Sequence, residues 1–436
     1  MKKSFIKLIA VFVLIGILCG CNGGLFDPEY AITAPTDGIY RGVYEAVRQY
    51  VGKDIVLKYP TVQGVHTAYY PWDLDGDDTN EVLVFYQLRS KGGVTRMQVL
   101  KSTENGWQTV QDLDAAGTDI LNVDLCDLDG DTIPELCIGW SVATTTAHLM
   151  SVYQAEKGLL TQRASEEYSE YVLCDINNDK VQDLGLAVLS PETATSSLRF
   201  YTLKKGAVSL LGSIGLDGSV LSYGKITAAG ITPQNTGVYL DVYKGADSMI
   251  TELVYFKGGK LYNPFAGNQN NVNIATLRYC DLPCGDVNQD GSIEIPFMVP
   301  LPGYDTTKAT EEDRDMTHYL LEWRGFDGQV TETVATWFYN TKEGYYVDLK
   351  GIPQGAFTAM FDTVKNEYVF YEWKNNKAGE PLLAIKTFPL AFFSEGAEYS
   401  ALFKNETTVW GANIFPKGKE YLKLDDLKYN FHLIVT

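Results

Sequence analysis

Histidine is scarce in this chain of 436 residues: His66, His148, His318 and His432 are scattered along it. Isolated imidazoles supply neither the ligand spacing of a zinc site nor a base beside a nucleophile. No G-x-S-x-G occurs and no Gly-rich phosphate loop, which removes the hydrolase-elbow and nucleotide-loop readings. Positive charge is also short, with 36 Lys and Arg against 55 Asp and Glu, for a formal charge of -19. Such a surface argues against nucleic acid and anionic lipid as partners. Cysteine is sparse, and of seven, Cys19 and Cys21 belong to the N-terminal segment. The remaining five are odd in number and cannot all pair internally.

What is abundant is acid in a repeated arrangement. Asp73-Leu74-Asp75-Gly76-Asp77-Asp78-Thr79-Asn80-Glu81 carries carboxylates at its first, third, fifth and ninth positions, with the backbone carbonyl of Thr79 available at the seventh. The spacing returns as Asp127, Asp129, Asp131, Glu135 with Ile133 at the seventh position, and as Asp175, Asn177, Asp179, Asp183 with Val181. It returns again as Asp286, Asn288, Asp290, Glu294 with Ser292. A lone copy would read as a solvated Asx turn. Four copies of one spacing read as oxygen cages for up to four Ca2+ ions, because carboxylates about 4 Å apart repel by several kcal/mol unless neutralised. No His or Cys stands among the ligand positions, so zinc and copper are excluded.

Short β-rich runs flank the acids: Tyr69-Tyr70 before and Val82-Leu83-Val84-Phe85-Tyr86 after the first, with similar runs at the second and third. At the fourth, Arg278-Tyr279 precede and Ile295 follows. Strand, tight turn, strand is a hairpin. An EF-hand needs helices on both sides and Glu at position twelve, where this chain has Val84, Ile138, Leu186 and Phe297. That excludes a dockerin as well. The pattern D-x-[DN]-x-D-x-x-x-[DE] before a hydrophobic strand resembles the FG-GAP or VCBS repeat of calcium-binding β-propellers such as the integrin α-subunit head. The resemblance covers about residues 60–295. It implies that the carboxylates hold Ca2+ in the hairpin between two strands of a blade. Asn177 and Asn288 depart from it by one charge each, which should weaken those sites. Thr132, β-branched at the sixth position, resists a left-handed turn and is expected to distort the second loop.

The N-terminal stretch reads as a targeting segment. Lys2 and Lys3 lead an apolar run at 8–18 that is too short for a comfortable membrane span. Leu18-Cys19-Gly20-Cys21 resembles a bacterial lipobox, which implies cleavage before Cys21 and a lipid on its thiol; the alternative is a secretory signal with an incidental Cys. Either expectation places the mature protein outside the cytoplasm, held to the membrane through the lipid anchor only. Loss of Lys2, Lys3 and Lys7 would take the charge from -19 to -22.

The organisation expected is 1–20 signal peptide, 21–37 tether, 38–59 a helix and strand, 60–350 about five propeller blades, and 351–436 irregular C-terminal blades or a closing β segment. The apolar positions Ile39, Val43, Ala46, Val47 and Tyr50 predict one short helix over 39–51, packed on the propeller. Gly-bearing turns at Asn105-Gly106, Lys157-Gly158, Lys205-Gly206, Gly258-Gly259 and Glu343-Gly344 follow the repeats. They mark 226–239 as part of a blade that has lost its acids, and 296–316 as an insertion forming an extended loop. An all-β propeller of about seven four-stranded blades fits, closed by pairing strands from the two chain ends, with 424–431 as a terminal helix. Cys126 and Cys174, each just before a loop, read as packing residues, and Cys280 and Cys284 as two buried thiols. Trp323, Trp337, Trp373 and Trp410 could stack on sugars, although apolar strand positions favour the core.

Three functions remain. The first is a calcium-stabilised surface lipoprotein that binds an extracellular protein or glycan, without catalysis. The second is a polysaccharide-active lyase or hydrolase, which a cleft with two or three convergent charged residues outside the loops would favour. The third is a structural envelope lipoprotein.

Overall fold

The computed structural model describes residues 38–434 except 63–66, 92–93, 144–146, 309–314 and 397. The lipobox, the tether, His66 and the acidic run Glu311-Glu312-Asp313 lie outside the described residues. No described helix is long and apolar enough to cross a membrane. The described chain is all-β and propeller-like: six antiparallel sheets of four or five strands follow one another in sequence. The repeat interval leaves room for about seven. Much of the difference is taken up by 263–294 and 301–318, whose described residues hold only isolated bridges, turns, bends and 3-10 segments.

The chain divides into two compact units, one holding residues up to 127 and 131–167, the other 128–130 and 168 onward. In the first unit, Glu81–Leu88 lies between Tyr69–Trp72 and Ile55–Leu57 on one side and Thr95–Thr103 on the other, with Gly106–Asp114 at the edge. Val82 to Tyr86 are buried without alternation, as in a strand covered on both faces. One cover is helix α1, Ile39–Val51, which turns Val43 and Val47 onto Val82, Val84, Tyr86 and Leu100. Residues four apart share a helix face, so this spacing fixes the contact. Gly52 ends the helix at φ 99°. The other cover is the second sheet, Asp119–Cys126, Glu135–Ser141, His148–Glu156 and Leu159–Tyr168. Phe85 meets Trp140 edge-on at 6.1 Å, beside Leu83, Val99, Ile138 and Tyr153. Each such fully buried side chain contributes about 1.5–3 kcal/mol.

The second unit holds four sheets. Glu170–Cys174, Asp183–Ser190, Thr195–Lys204 and Ala207–Leu216 form the third, and Ser222–Thr232, Asn235–Gly245, Ser248–Lys257 and Lys260–Tyr262 the fourth. The fifth runs Ile295–Pro300, Tyr319–Phe326, Val330–Asn340, Tyr345–Asp348 and Phe431–Leu433. The sixth comprises Phe357–Asp362, Glu367–Lys374, Lys377–Pro389, Thr408–Ile414 and Ser400–Lys404. Consecutive sheets share cores: Phe200 and Leu198 with Val238 and Ile250, Tyr239 and Leu253 with Ile295 and Phe326, Phe338 and Val347 with Phe370 and Ile385. The hairpin turns are where the Gly-bearing pairs stand. Lys157-Gly158 and Lys205-Gly206 have φ of 54° and 74°, and 52° and 72°. Positive φ at both central residues matches the right-handed twist of the strands.

Three expectations need correction. The terminal strand Phe431–Leu433, which follows helix α2 at Leu424–Asn430, pairs with Tyr345–Asp348, whereas Ile55–Leu57 pairs with Glu81–Leu88. The chain ends therefore finish different sheets, each edge being satisfied by the nearest open ladder. The fourth acidic loop is not a strand hairpin: one bridge, Gly285 to Glu294, closes it, because its N-terminal flank is tied elsewhere, Arg278 bridging to Met249. The expected insertion begins as strand Ile295–Pro300, paired residue for residue with Tyr319–Phe326, and loops out only afterwards.

The fourth sheet, which lacks an acidic loop, is held by a buried network. The Arg278 guanidinium, with no exposed side-chain surface, donates to Asp241 Oδ1 at 3.0 Å and to the Thr276 and Leu282 carbonyls at 3.1 and 2.6 Å. Asp241 also accepts from Thr251 Oγ1 at 2.6 Å and from the Cys284 N–H at 3.1 Å. Cys280 and Cys284 are buried thiols without a bridge, as are Cys126 and Cys174.

Candidate functional site: acidic loops and an aromatic cleft

The acidic loops share one backbone design. The first-position carboxylate accepts the sixth-residue N–H: Asp78 to Asp73 at 3.0 Å, Thr132 to Asp127 at 3.1 Å, Lys180 to Asp175 at 2.8 Å and Gly291 to Asp286 at 2.9 Å. The fifth-position carboxylate accepts the N–H of the seventh residue, so Thr79, Ile133, Val181 and Ser292 lie 2.8–3.0 Å from Asp77, Asp131, Asp179 and Asp290. The fourth and sixth residues are left-handed in every loop: Gly76 and Asp78 at 70° and 62°, Gly130 and Thr132 at 78° and 76°, Asn178 and Lys180 at 64° and 74°, Gln289 and Gly291 at 64° and 89°. Thr132 thus takes the same turn as its counterparts, contrary to the expected distortion. Its N–H bond to Asp127 helps offset the strain of about 1 kcal/mol or more that a β-branched residue bears there.

The ninth-position acids Glu81, Glu135, Asp183 and Glu294 are 0–2 % exposed. In three loops one oxygen of this acid accepts the N–H of the second residue: Leu74 to Glu81 at 3.0 Å, Ile176 to Asp183 at 3.2 Å and Val287 to Glu294 at 3.0 Å. Asp183 Oδ1 is buried and has no hydrogen-bond partner. Burial, reinforced by Asp179 and Asp175, pushes its carboxyl up to about 7. Burial likewise raises Glu294. A buried carboxylate oxygen with no donor, in a ring of further oxygens, fits a hard cation. Two clusters, Asp73–Asp75–Glu81 and Asp127–Asp129–Glu135, bring one oxygen from each residue within 4.8 Å of one another and could hold a metal ion. In the third and fourth loops Asn177 and Asn288 instead turn their amides to Asp179 and Asp290 at 2.9 Å.

The first loop has an additional member that its nonapeptide does not contain. Lys101 Nζ lies 2.6 Å from Asp75 Oδ2, 2.9 Å from Asp77 Oδ2 and 3.2 Å from Glu81 Oε1. The contact to Glu81 is one of charge, since Oε1 accepts no well-aligned hydrogen bond. Lys101 lies well beyond the loop in sequence, and only the strand register brings it back.

A second site lies in the second unit: a cleft of about 680 Å3 opens between the 301–318 connection and the strands of the fifth and sixth sheets. Its walls include Tyr304 stacked on His318 at 4.6 Å, Phe361 beside Tyr368 at 4.9 Å, and Trp373. The Trp373 ring packs against the bare Cα of Gly303, at φ 89°, where a side chain would collide with it. Asp315, Lys342 and Glu343 bring charge to the same cleft. Burial opposes it, but hydrogen bonds from Lys342 and Thr317 hold the Asp315 carboxyl below its ordinary value. Burial raises Glu343, which accepts from Thr387 Oγ1 at 2.7 Å. Of the four tryptophans weighed as stacking platforms, Trp323 and Trp410 are core, and Trp373 lines the cleft.

No protein-family model matches the chain, and no curated protein matches it. Among solved structures, rhamnogalacturonan lyase PL11 of Bacillus licheniformis is 12% identical over 75% of this chain and 73% of its own, with a TM-score of 0.31. Rhamnogalacturonan lyase YesW is 10% identical over 76% and 71%, with a TM-score of 0.34. The periplasmic gluconolactonase PpgL of Pseudomonas aeruginosa is 12% identical over 73% and 86%, with a TM-score of 0.27. Likeness at these scores carries no argument about chemistry.

Proposed function

We propose that this chain is a calcium-stiffened binding module that works outside the cytoplasm, carried on a lipid at Cys21, and takes a glycan in the cleft around Trp373. The cleft carries the binding half of this reading: stacked rings beside paired charges offer flat apolar faces together with fixed hydrogen-bonding groups. The buried ninth-position carboxylates support calcium. The test is a glycan array probed with the soluble chain from residue 22, followed by titration of each hit with the wild type and Trp373→Ala. A saturable ligand whose affinity falls about tenfold or more in the variant is expected, since a central aromatic contact contributes about 1.4 kcal/mol or more. Equal affinity of the two proteins, or no glycan bound, would reject the cleft.

One observation favours a second reading, a polysaccharide-active enzyme. Asp315 and Glu343 line the same cleft with their carboxyls shifted in opposite directions, the condition for dividing base and acid roles. Release of reducing ends or unsaturated products from a bound polysaccharide, lost in Glu343→Gln while binding persists, would establish it. A wild type that binds and releases nothing would exclude it.

A further inference from the structure

Thr95–Thr103 runs antiparallel to Glu81–Leu88 with Leu100 opposite Val82. Continuing that register by one pair sets Lys101 across from the ninth residue of the first loop. The same step in the other sheets, from Leu136 opposite Tyr153, Leu184 opposite Tyr201 and Ile295 opposite Arg324, leads to Gln154, Thr202 and Gly325. At this ladder position the first loop alone has a cationic residue.

Its ammonium reaches the oxygens of the third, fifth and ninth acids at 2.6, 2.9 and 3.2 Å. These are the groups that would face a calcium ion at about 2.3–2.6 Å. Ammonium and divalent ion therefore compete for one set of oxygens, and the contacts cannot all be kept when an ion enters. We infer that Lys101 is a built-in counter-ion that occupies the first loop, so that a divalent ion binds there only by displacing it. The inference rests on the calcium reading of the loops and adds an inequality among them: the first cage, with the same four ligand carboxylates as the second, binds its ion less tightly.

The magnitude follows from three ion pairs, two of them between partly exposed groups and the third to the buried Glu81. Lys101, Asp75 and Asp77 keep 32 %, 26 % and 45 % of their side-chain surface exposed, so solvent screens these pairs, and the set lowers apparent ion affinity about 10- to 100-fold. The counter-ion also offsets part of the negative charge of the first loop when no metal is present.

The experiment is calcium titration calorimetry on the soluble chain from residue 22, as wild type, Lys101→Met and Lys101→Arg, with thermal denaturation of each in EDTA and in calcium. Lys101→Met is expected to tighten one site about 10- to 100-fold and to lower the melting temperature in EDTA, with calcium restoring it, while Lys101→Arg follows the wild type. Should Lys101→Met not fold, Lys101→Gln, which keeps a polar tip without the charge, is read by the same criterion. Calcium binding that is unchanged by loss of the ammonium overturns the inference and leaves the calcium reading intact. Absence of calcium binding from wild type and variants alike overturns both.

Discussion

Replacing Asp183 with Asn in the metal-free protein isolates the cost of keeping an acid in these loops. Its side chain is fully buried, its Oδ2 accepts the Ile176 N–H at 3.2 Å, and Oδ1 has no donor. The carboxyl is pushed from 3.8 up to about 7, chiefly by burial. A shift of roughly three units at 1.36 kcal/mol each sets a ceiling of about 4 kcal/mol. Below the unfolded value both states are protonated and the group is neutral to folding. Between the two values the folded chain binds more protons than the unfolded one, so stability falls as pH rises, and above about 7 the whole cost is present. Asp183→Asn keeps the shape and an acceptor for Ile176 but cannot ionise. Urea denaturation in EDTA over a pH series should show the wild type losing stability relative to the variant as pH rises across this window. Above it the variant is expected to be more stable by up to about 4 kcal/mol. In calcium the gap closes or reverses, because the ion neutralises the wild-type acid and the variant has lost a ligand. A variant less stable than wild type in EDTA at pH 8, or a difference that does not change with pH, would refute the reasoning.

Other consequences are tested by simpler comparisons. EDTA is expected to lower the melting temperature and added calcium to raise it; an unchanged transition counts against metal in the loops. Asp127→Ala should weaken calcium binding more than Asn177→Ala, because it removes a formal charge from a cluster whose oxygens lie within 4.8 Å; equal losses by calorimetry contradict the ligand assignment. Arg278→Met strands the Asp241 carboxylate, 1 % exposed, and is expected to cost about 3–5 kcal/mol in urea denaturation, whereas pairing it with Asp241→Leu should recover much of that loss. A single-variant cost below about 1 kcal/mol would show that the network relaxes around the missing charge.

Much of the fold was legible because the signals were local. Helix α1 was visible in its four-residue apolar spacing, the strands beside the first three loops in their β-branched and aromatic runs, and the hairpins in their Gly-bearing pairs. The fourth sheet, which lacks an acidic loop, could be placed by counting between turns, because the first three repeats keep nearly one length. What escaped was long-range pairing. Nothing near Phe431 states that it will join Tyr345–Asp348, since the choice depends on which edge remains open. Lys101 escaped for the same reason: it resembles any strand lysine until the register sets it against Glu81. The cleft escaped too, because Trp373, Asp315 and Glu343 come from distant segments and share no motif. Thr132 shows the opposite error, a residue preference overruled by the hydrogen bonds of its turn.

The acidic turns are already folded around their own carboxylates, each with its N–H groups committed and its two left-handed residues in place. A cation entering such a turn meets a receptacle shaped in advance. In the second, third and fourth turns little of its binding free energy would go into ordering the chain, whereas in the first it would also have to displace Lys101. Departure is equally direct: a fall in the surrounding ion concentration would empty the turns without first requiring the strands beside them to part.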